Sequence, residues 1–262
     1  MSPRIQVFSD FDGTISLEDT GCILIDSGMG TANRKEMDKK ILNHEMTFLE
    51  AMDEWWGHVN LTYAEGLELL KPVQLDPAFK KVYAYLDSQQ IPFTILSCGL
   101  DTVIRDYLGW TLGEKEAAHI KILANYCKVD GRKWIVTYRD ESPHSHDKAV
   151  AIQEARAEFK KETLESQKKD HHIIIFCGDG ISDLSAAREA DVLFARRGRD
   201  LEKYCRTHKI PFLAFDTFDD VYDVVHGLNE EKFGLDHVQE KQNAEIRLTS
   251  EESKEKRLAA SA

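Results

Sequence analysis

The chain has 262 residues, 42% of them hydrophobic and 31% charged, with a net charge of −12. Those values suit one globular domain carrying an insertion, or two small domains, with a sizeable core. The acidic balance argues against nucleic acid or an anionic membrane as the main partner, and no apolar run nears the roughly 20 residues that a membrane span needs. Met1-Ser2-Pro3-Arg4 leads into an acidic segment without a signal-peptide pattern. The five cysteines, Cys22, Cys98, Cys127, Cys177 and Cys205, are scattered and form no C-x-x-C pair. Reduced thiols and a cytoplasmic location are expected.

In chain order, residues 4–9 read as a short strand that ends in the loop Asp10-Phe11-Asp12-Gly13-Thr14. Residues 16–89 read as helical, with Ile41, Leu42, Met46, Leu49, Met52 and Trp56 at three- and four-residue steps. Residues 91–97 (IPFTILS) return to strand and 101–108 to helix. Residues 120–127 and 133–138 flank Asp130-Gly131 as a β-hairpin. A helix over 147–165 and a buried strand over 172–177 (HIIIFC) follow, then a helix over 182–190. Residues 192–195, 201–208, 211–215 and 219–226 complete a strand–helix–strand–helix run. Alternating strands and helices imply an α/β fold with a parallel sheet covered on both faces. The stretch 229–262 is charged and poor in large apolar residues, and reads as a flexible tail of frayed helix or disorder.

The chemistry gathers at four places. Asp10 and Asp12 are two apart at the end of a strand, where open α/β sheets place ligands. Crowding two carboxylates raises one pKa, so the pair can supply a nucleophile and a general acid. Gly13 allows a tight turn, and Thr14 offers a hydroxyl and an N–H. Ser97 closes the strand IPFTILS and precedes Cys98-Gly99, where a hydroxyl and backbone N–H groups can hold a phosphate oxygen. Lys148 opens a helix and can steady a phosphate as a point charge. Gly178-Asp179-Gly180-Ile181-Ser182-Asp183 follows the strand HIIIFC and adds two carboxylates. Four acids at one sheet edge call for a cation, and oxygen-only donors suit Mg²⁺.

The set DFDGT (10–14), LSCG (96–99), HDK (146–148) and GDGISD (178–183) resembles, in order, the four motifs of the haloacid dehalogenase superfamily. The resemblance spans about residues 4–228 and lies in the phosphoserine-phosphatase-like branch, near its fungal members and the methionine-salvage diketo-phosphatases. It implies a Rossmann-like core over 1–16 and 89–228 and a helical cap over 17–88, with the hairpin as a further insertion and 229–262 as the tail. It implies hydrolysis of a small phosphorylated metabolite through an aspartyl-phosphate. In those roles Asp10 attacks phosphorus and binds Mg²⁺, while Asp12 protonates the leaving alkoxide, activates water and lends a backbone carbonyl to the metal. Thr14, Ser97, Cys98, Gly99 and Lys148 hold the phosphoryl group, and Asp179 completes the metal site. Gly178, Gly180 and Asp183 support it.

Substrate choice rests on the cap. Asp19 lies near the acidic residue by which phosphoserine phosphatases hold their substrate, but is shorter than the usual Glu, and Arg34 is the only arginine between Asp12 and Gln90. A sugar or polyol phosphate is therefore expected, with a diketo-methylthio-pentane phosphate or phosphoserine as alternatives. Trp55, Trp56 and His146 are further candidates for substrate contact, although buried packing is the commoner role of a cap tryptophan. His144 with His146 makes a metal pair only if a third ligand joins them. A nicotinamide-dependent oxidoreductase would need a third glycine where Asp183 stands, and a non-catalytic relative would have lost an acid.

Overall fold

A computed structural model describes residues 4–142, 145–166, 171–248 and 252. From the N-terminus the elements are β1 (Arg4–Ser9), α1 (Thr20–Met29), α2 (Thr31–Leu42), α3 (Phe48–His58), α4 (Tyr63–Leu70), α5 (Phe79–Ser88) and β2 (Phe93–Leu100). They continue with α6 (Asp101–Leu112), α7 (Glu114–His119), β3 (Lys121–Asp130), β4 (Lys133–Thr137), α8 (Lys148–Ser166) and β5 (His172–Gly178). A 3₁₀ turn (Ile181–Asp183) leads into α9 (Leu184–Glu189), β6 (Val192–Arg196), α10 (Asp200–His208), β7 (Leu213–Phe215), α11 (Phe218–Asn229) and α12 (Leu235–Glu245). The strand order is β4-β3-β2-β1-β5-β6-β7. The pairs β1·β5, β5·β6 and β6·β7 are parallel and β3·β4 is antiparallel, so the α/β class expected from the alternation holds. Among the described residues no helix is long and apolar enough to cross a membrane.

The chain forms two compact units. The first comprises Met1–Asp10, Asp76–Thr94 and Lys148–Ala262. Its centre is β5, where Ile173, Ile174, Ile175, Phe176 and Cys177 are all buried, as a strand covered on both faces requires. Phe194, Phe215, Phe218 and Val225 fill the space beside it. Within the stretch expected to be frayed helix or disorder, α12 is a packed helix that buries Val238 and Gln242. The Gln242 amide accepts from Leu193 N at 2.7 Å and donates to Asp191 O at 3.1 Å, satisfying backbone groups at the start of β6.

A buried ion pair ties this unit together. Arg196 Nη2 lies 2.6 Å from Asp76 Oδ2, and Asp76 Oδ1 accepts from Ala78 N and Phe218 N. Asp76→Ala removes the buried carboxylate that faces the Arg196 guanidinium, so the unfolding free energy is expected to fall by about 3–5 kcal/mol. Urea titration checks this; a change no larger than that of a surface substitution would contradict it.

The second unit comprises Phe11–Leu75 and Ile95–Asp147. Capping boxes start α3 (Thr47 with Glu50) and α4 (Thr62 with Glu65). The hairpin β3–β4 is not a separate appendage. Trp134 on β4 stacks on Trp56 at 5.9 Å between ring centroids, and its Nε1 donates to Leu61 O at 2.9 Å.

Candidate active site

The first unit assembles one cluster. Asp10 follows β1, and its N–H donates to Cys177 O at 2.8 Å, so the ladder runs one residue past the strand and holds Asp10 beside the end of β5. Lys148, the first residue of α8, is fully buried. Its Nζ donates to Asp10 Oδ1 and to Asp183 Oδ1, each at 2.6 Å. The other oxygen of Asp183 accepts from Asp179 N at 2.9 Å and Gly180 N at 3.0 Å, which shapes the loop after β5. Glycine is required at 178: a Cβ there would lie 2.5 Å from Asp183 Oδ2 and 2.9 Å from Phe176 Cε1.

Oxygens of Asp10, Asp179 and Asp183 all lie within 4.8 Å of one another. Three convergent carboxylates are a donor set for a hard divalent cation. Burial, and then the charges of Asp10 and Asp183, push the Asp179 carboxyl up from 3.8 to about 8. Ionising Asp179 therefore costs the cation-free fold stability progressively as pH rises from about 4 to about 8, and a cation that binds the ionised form relieves that cost. A divalent cation should accordingly raise the melting temperature more at pH 8 than at pH 6. Thermal scans with and without Mg²⁺ at both values check this, and equal shifts would contradict it.

The second unit assembles another cluster. Asp12 Oδ1 accepts from Thr20 N at 2.7 Å and Thr20 Oγ1 at 2.6 Å, at the start of α1. Ser97 is buried, and its Oγ accepts from Gly99 N at 2.9 Å. A Cβ at Gly99 would lie 2.8 Å from Asp12 Oδ2 and 3.1 Å from Ser97 Oγ, so glycine lets the acid and the serine hydroxyl share this space. Thr14 is buried in the turn that Asp12 opens, with its N–H on Phe11 O at 3.2 Å. Cys98 is half-buried. Buried His146 places Nδ1 3.0 Å from Ser97 O.

Other candidates stand elsewhere in this unit. Asp19 is the N-cap of α1, accepting from Cys22 N at 2.7 Å. Trp55 and Trp56 are buried in α3, Trp55 edge-on to Phe48 and Trp56 stacked on Trp134. Arg34 holds Asp26 at two points, Nε to Oδ1 at 2.6 Å and Nη2 to Oδ2 at 3.1 Å. His144 lies outside the described residues. Thr20 and Asn125 are absent from the sequence-based set, yet Thr20 fixes Asp12, and Asn125 Nδ2 donates to Cys98 O at 2.7 Å. A small polar residue opening a helix a few residues after D-x-D was the signal for Thr20. A buried Asn in a strand carried none.

The sequence pattern of the haloacid dehalogenase-like hydrolases matches residues 7–188. The chain belongs to this family. It is 42% identical to Pdp3-interacting factor 1 of Schizosaccharomyces pombe, over 84% of this chain and 93% of that protein. It is 34% identical to polyol phosphate phosphatase PYP1 of Saccharomyces cerevisiae, over 82% and 90%. A structure of phosphoserine phosphatase with a phospho-aspartyl intermediate analogue shares its fold, with a TM-score of 0.59 over 83% of this chain and 95% of that one at 16% identity. Membership together with the phosphatase relative at 34% identity makes the chain a phosphoric monoester hydrolase of the haloacid dehalogenase type.

Proposed function

We propose that the chain is a Mg²⁺-dependent phosphatase of a small sugar or polyol phosphate, working through a phosphoryl group carried on Asp10. The observation that carries this reading is the buried Asp10–Lys148–Asp183 chain with Asp179 beside it. It gives one carboxylate a fixed position and a donor set suited to a hard cation. Asp10, Asp179 and the backbone carbonyl of Asp12 would hold Mg²⁺, which when bound offsets the charge on the phosphate oxygens.

Asp10 attacks phosphorus, and the bond from phosphorus to the substrate's alkoxide oxygen breaks. Asp12 gives that oxygen its proton. Asp12 then takes a proton from water, the water oxygen attacks phosphorus, and the bond to Asp10 breaks, which releases phosphate and restores both carboxyl groups. Ser97, Thr14, the Cys98 N–H and Lys148 orient the phosphoryl oxygens, while the Gly99 N–H holds Ser97 Oγ at 2.9 Å. Phe11 alone separates Asp10 from Asp12 along the chain, which keeps nucleophile and proton donor within reach of one substrate.

Residues 17–88 act in this reading as a cap over a core of residues 1–16 and 89–228, and the cap excludes water during the first step. Arg34 supports an uncharged leaving group, because its guanidinium is held at two points by Asp26. Holding the carboxylate of an amino-acid substrate would require breaking that pair. The 34% identical yeast relative carries a polyol phosphate phosphatase name, which supports the same class. Five scattered cysteines without a C-x-x-C pair fit work in the reducing cytoplasm.

Purified protein should hydrolyse p-nitrophenyl phosphate with Mg²⁺ and lose that activity in EDTA. Across phosphorylated metabolites, kcat/KM should be higher for glycerol, erythritol and sugar phosphates than for phosphoserine. Phosphoserine turned over as well as the polyol esters would overturn the substrate class and leave the phosphatase intact.

A further inference from the structure

We infer that Asn125 and His146 are positioning residues that set the peptide planes of Ser97-Cys98-Gly99, at the end of β2, for phosphate, an inference that rests on the phosphatase reading above. Ser97 O can only accept, so the His146 nitrogen 3.0 Å from it, Nδ1, is the protonated one. That bond fixes the rotation of the Ser97–Cys98 peptide, because C=O and N–H of a trans peptide point in opposite directions. The next peptide, Cys98–Gly99, is held at both ends. Its carbonyl accepts from Asn125 Nδ2 at 2.7 Å, and its N–H donates to Ser97 Oγ at 2.9 Å. Glycine gives this plane more freedom than any other residue would, and the Asn125 bond removes that freedom.

The Asn125 amide can be oriented in one way only. Its Oδ1 accepts from Arg139 N at 2.9 Å, and its Nδ2 also donates to Ser145 Oγ at 3.0 Å. A flipped amide would set an oxygen against the Cys98 carbonyl. Asn125 thus ties the end of β2 to the segment that delivers His146. In that segment Ser145 adopts φ +65°, a left-handed conformation rare for serine, and is fully buried. Asp140 braces it, with one carboxylate oxygen accepting from Ser142 N at 2.9 Å and the other from Asp147 N at 2.8 Å. Peptide planes at the end of β2 held in this way during folding need no reordering when phosphate arrives.

Inhibition by inorganic phosphate, measured with Mg²⁺ against p-nitrophenyl phosphate turnover, tests the inference directly. Asn125→Ala and His146→Gln should each weaken phosphate about 10-fold, as loss of an orienting hydrogen bond does at other sites. The double variant should lose less than the product of the two, because both clamps act on one segment. His146→Asn should recover most of the loss, since its amide nitrogen sits where Nδ1 does, whereas that of glutamine sits at the Nε2 position. Unchanged phosphate inhibition in folded variants, or equal behaviour of His146→Asn and His146→Gln, would overturn the inference. The histidine pair decides the matter even if Asn125→Ala does not fold. Wild-type protein that neither hydrolyses the ester nor binds phosphate would overturn the phosphatase reading, and this inference with it.

Discussion

Asp10→Asn is expected to lower kcat for p-nitrophenyl phosphate by at least about 10⁴-fold while leaving the fold intact. An amide keeps the shape of the carboxylate and can still accept from Lys148, which lies 2.6 Å from Asp10 Oδ1. It lacks the negative oxygen that attacks phosphorus. Removing one of three clustered carboxylates also relieves repulsion with Asp179 and Asp183. Steady-state kinetics beside a urea titration separates the two effects. A folded variant that keeps a substantial fraction of wild-type turnover would show that another group is the nucleophile.

Lys148→Met is expected to damage activity and stability together. Methionine fills the volume of the lysine stem but leaves Asp10 and Asp183 facing each other without the ammonium that both contact. Breaking a buried pair on one side costs about 3–5 kcal/mol. Loss of a charge aimed at the phosphoryl group should cost a further 10²–10³-fold or so in kcat. Adding Asp10→Asn should recover part of the stability by removing one of the two stranded charges. Urea titration of both variants checks this; a single variant as stable as wild type would contradict the role of Lys148 in offsetting the two carboxylates.

The strands and the four motifs were legible because each is a run of consecutive residues. HIIIFC reads as a strand covered on both faces, and β5 is one. D-x-D and G-D-G-x-x-D sit where strands end. What escaped the sequence was polar and non-local. Gln242 completes the backbone of β6 from 49 residues away, so hydropathy, which reads only apolar periodicity, made α12 a tail. Asn125 meets Cys98 across 27 residues and His146 meets Ser97 across 49. Nothing in the alternation of a strand marks one buried Asn as a clamp. Arg34 was visible as the lone arginine of its stretch, but its engagement with Asp26 depends on the packing of α1 and α2. Trp134 stacks on Trp56 from a distant part of the chain, a pairing that no local pattern marks.

The central claim is a phosphoryl group on Asp10, and acid-quench mass spectrometry of the Asp12→Asn variant tests it most directly. p-Nitrophenolate leaves without needing a proton, so the first step survives in that variant, while the second stalls for want of a base to activate water. After mixing with p-nitrophenyl phosphate and Mg²⁺, the peptide containing Asp10 should carry the mass of one phosphoryl group in near-stoichiometric amount, and the label should be absent from Asp10→Asn. Turnover without label on that peptide, or label on another residue, would contradict the account.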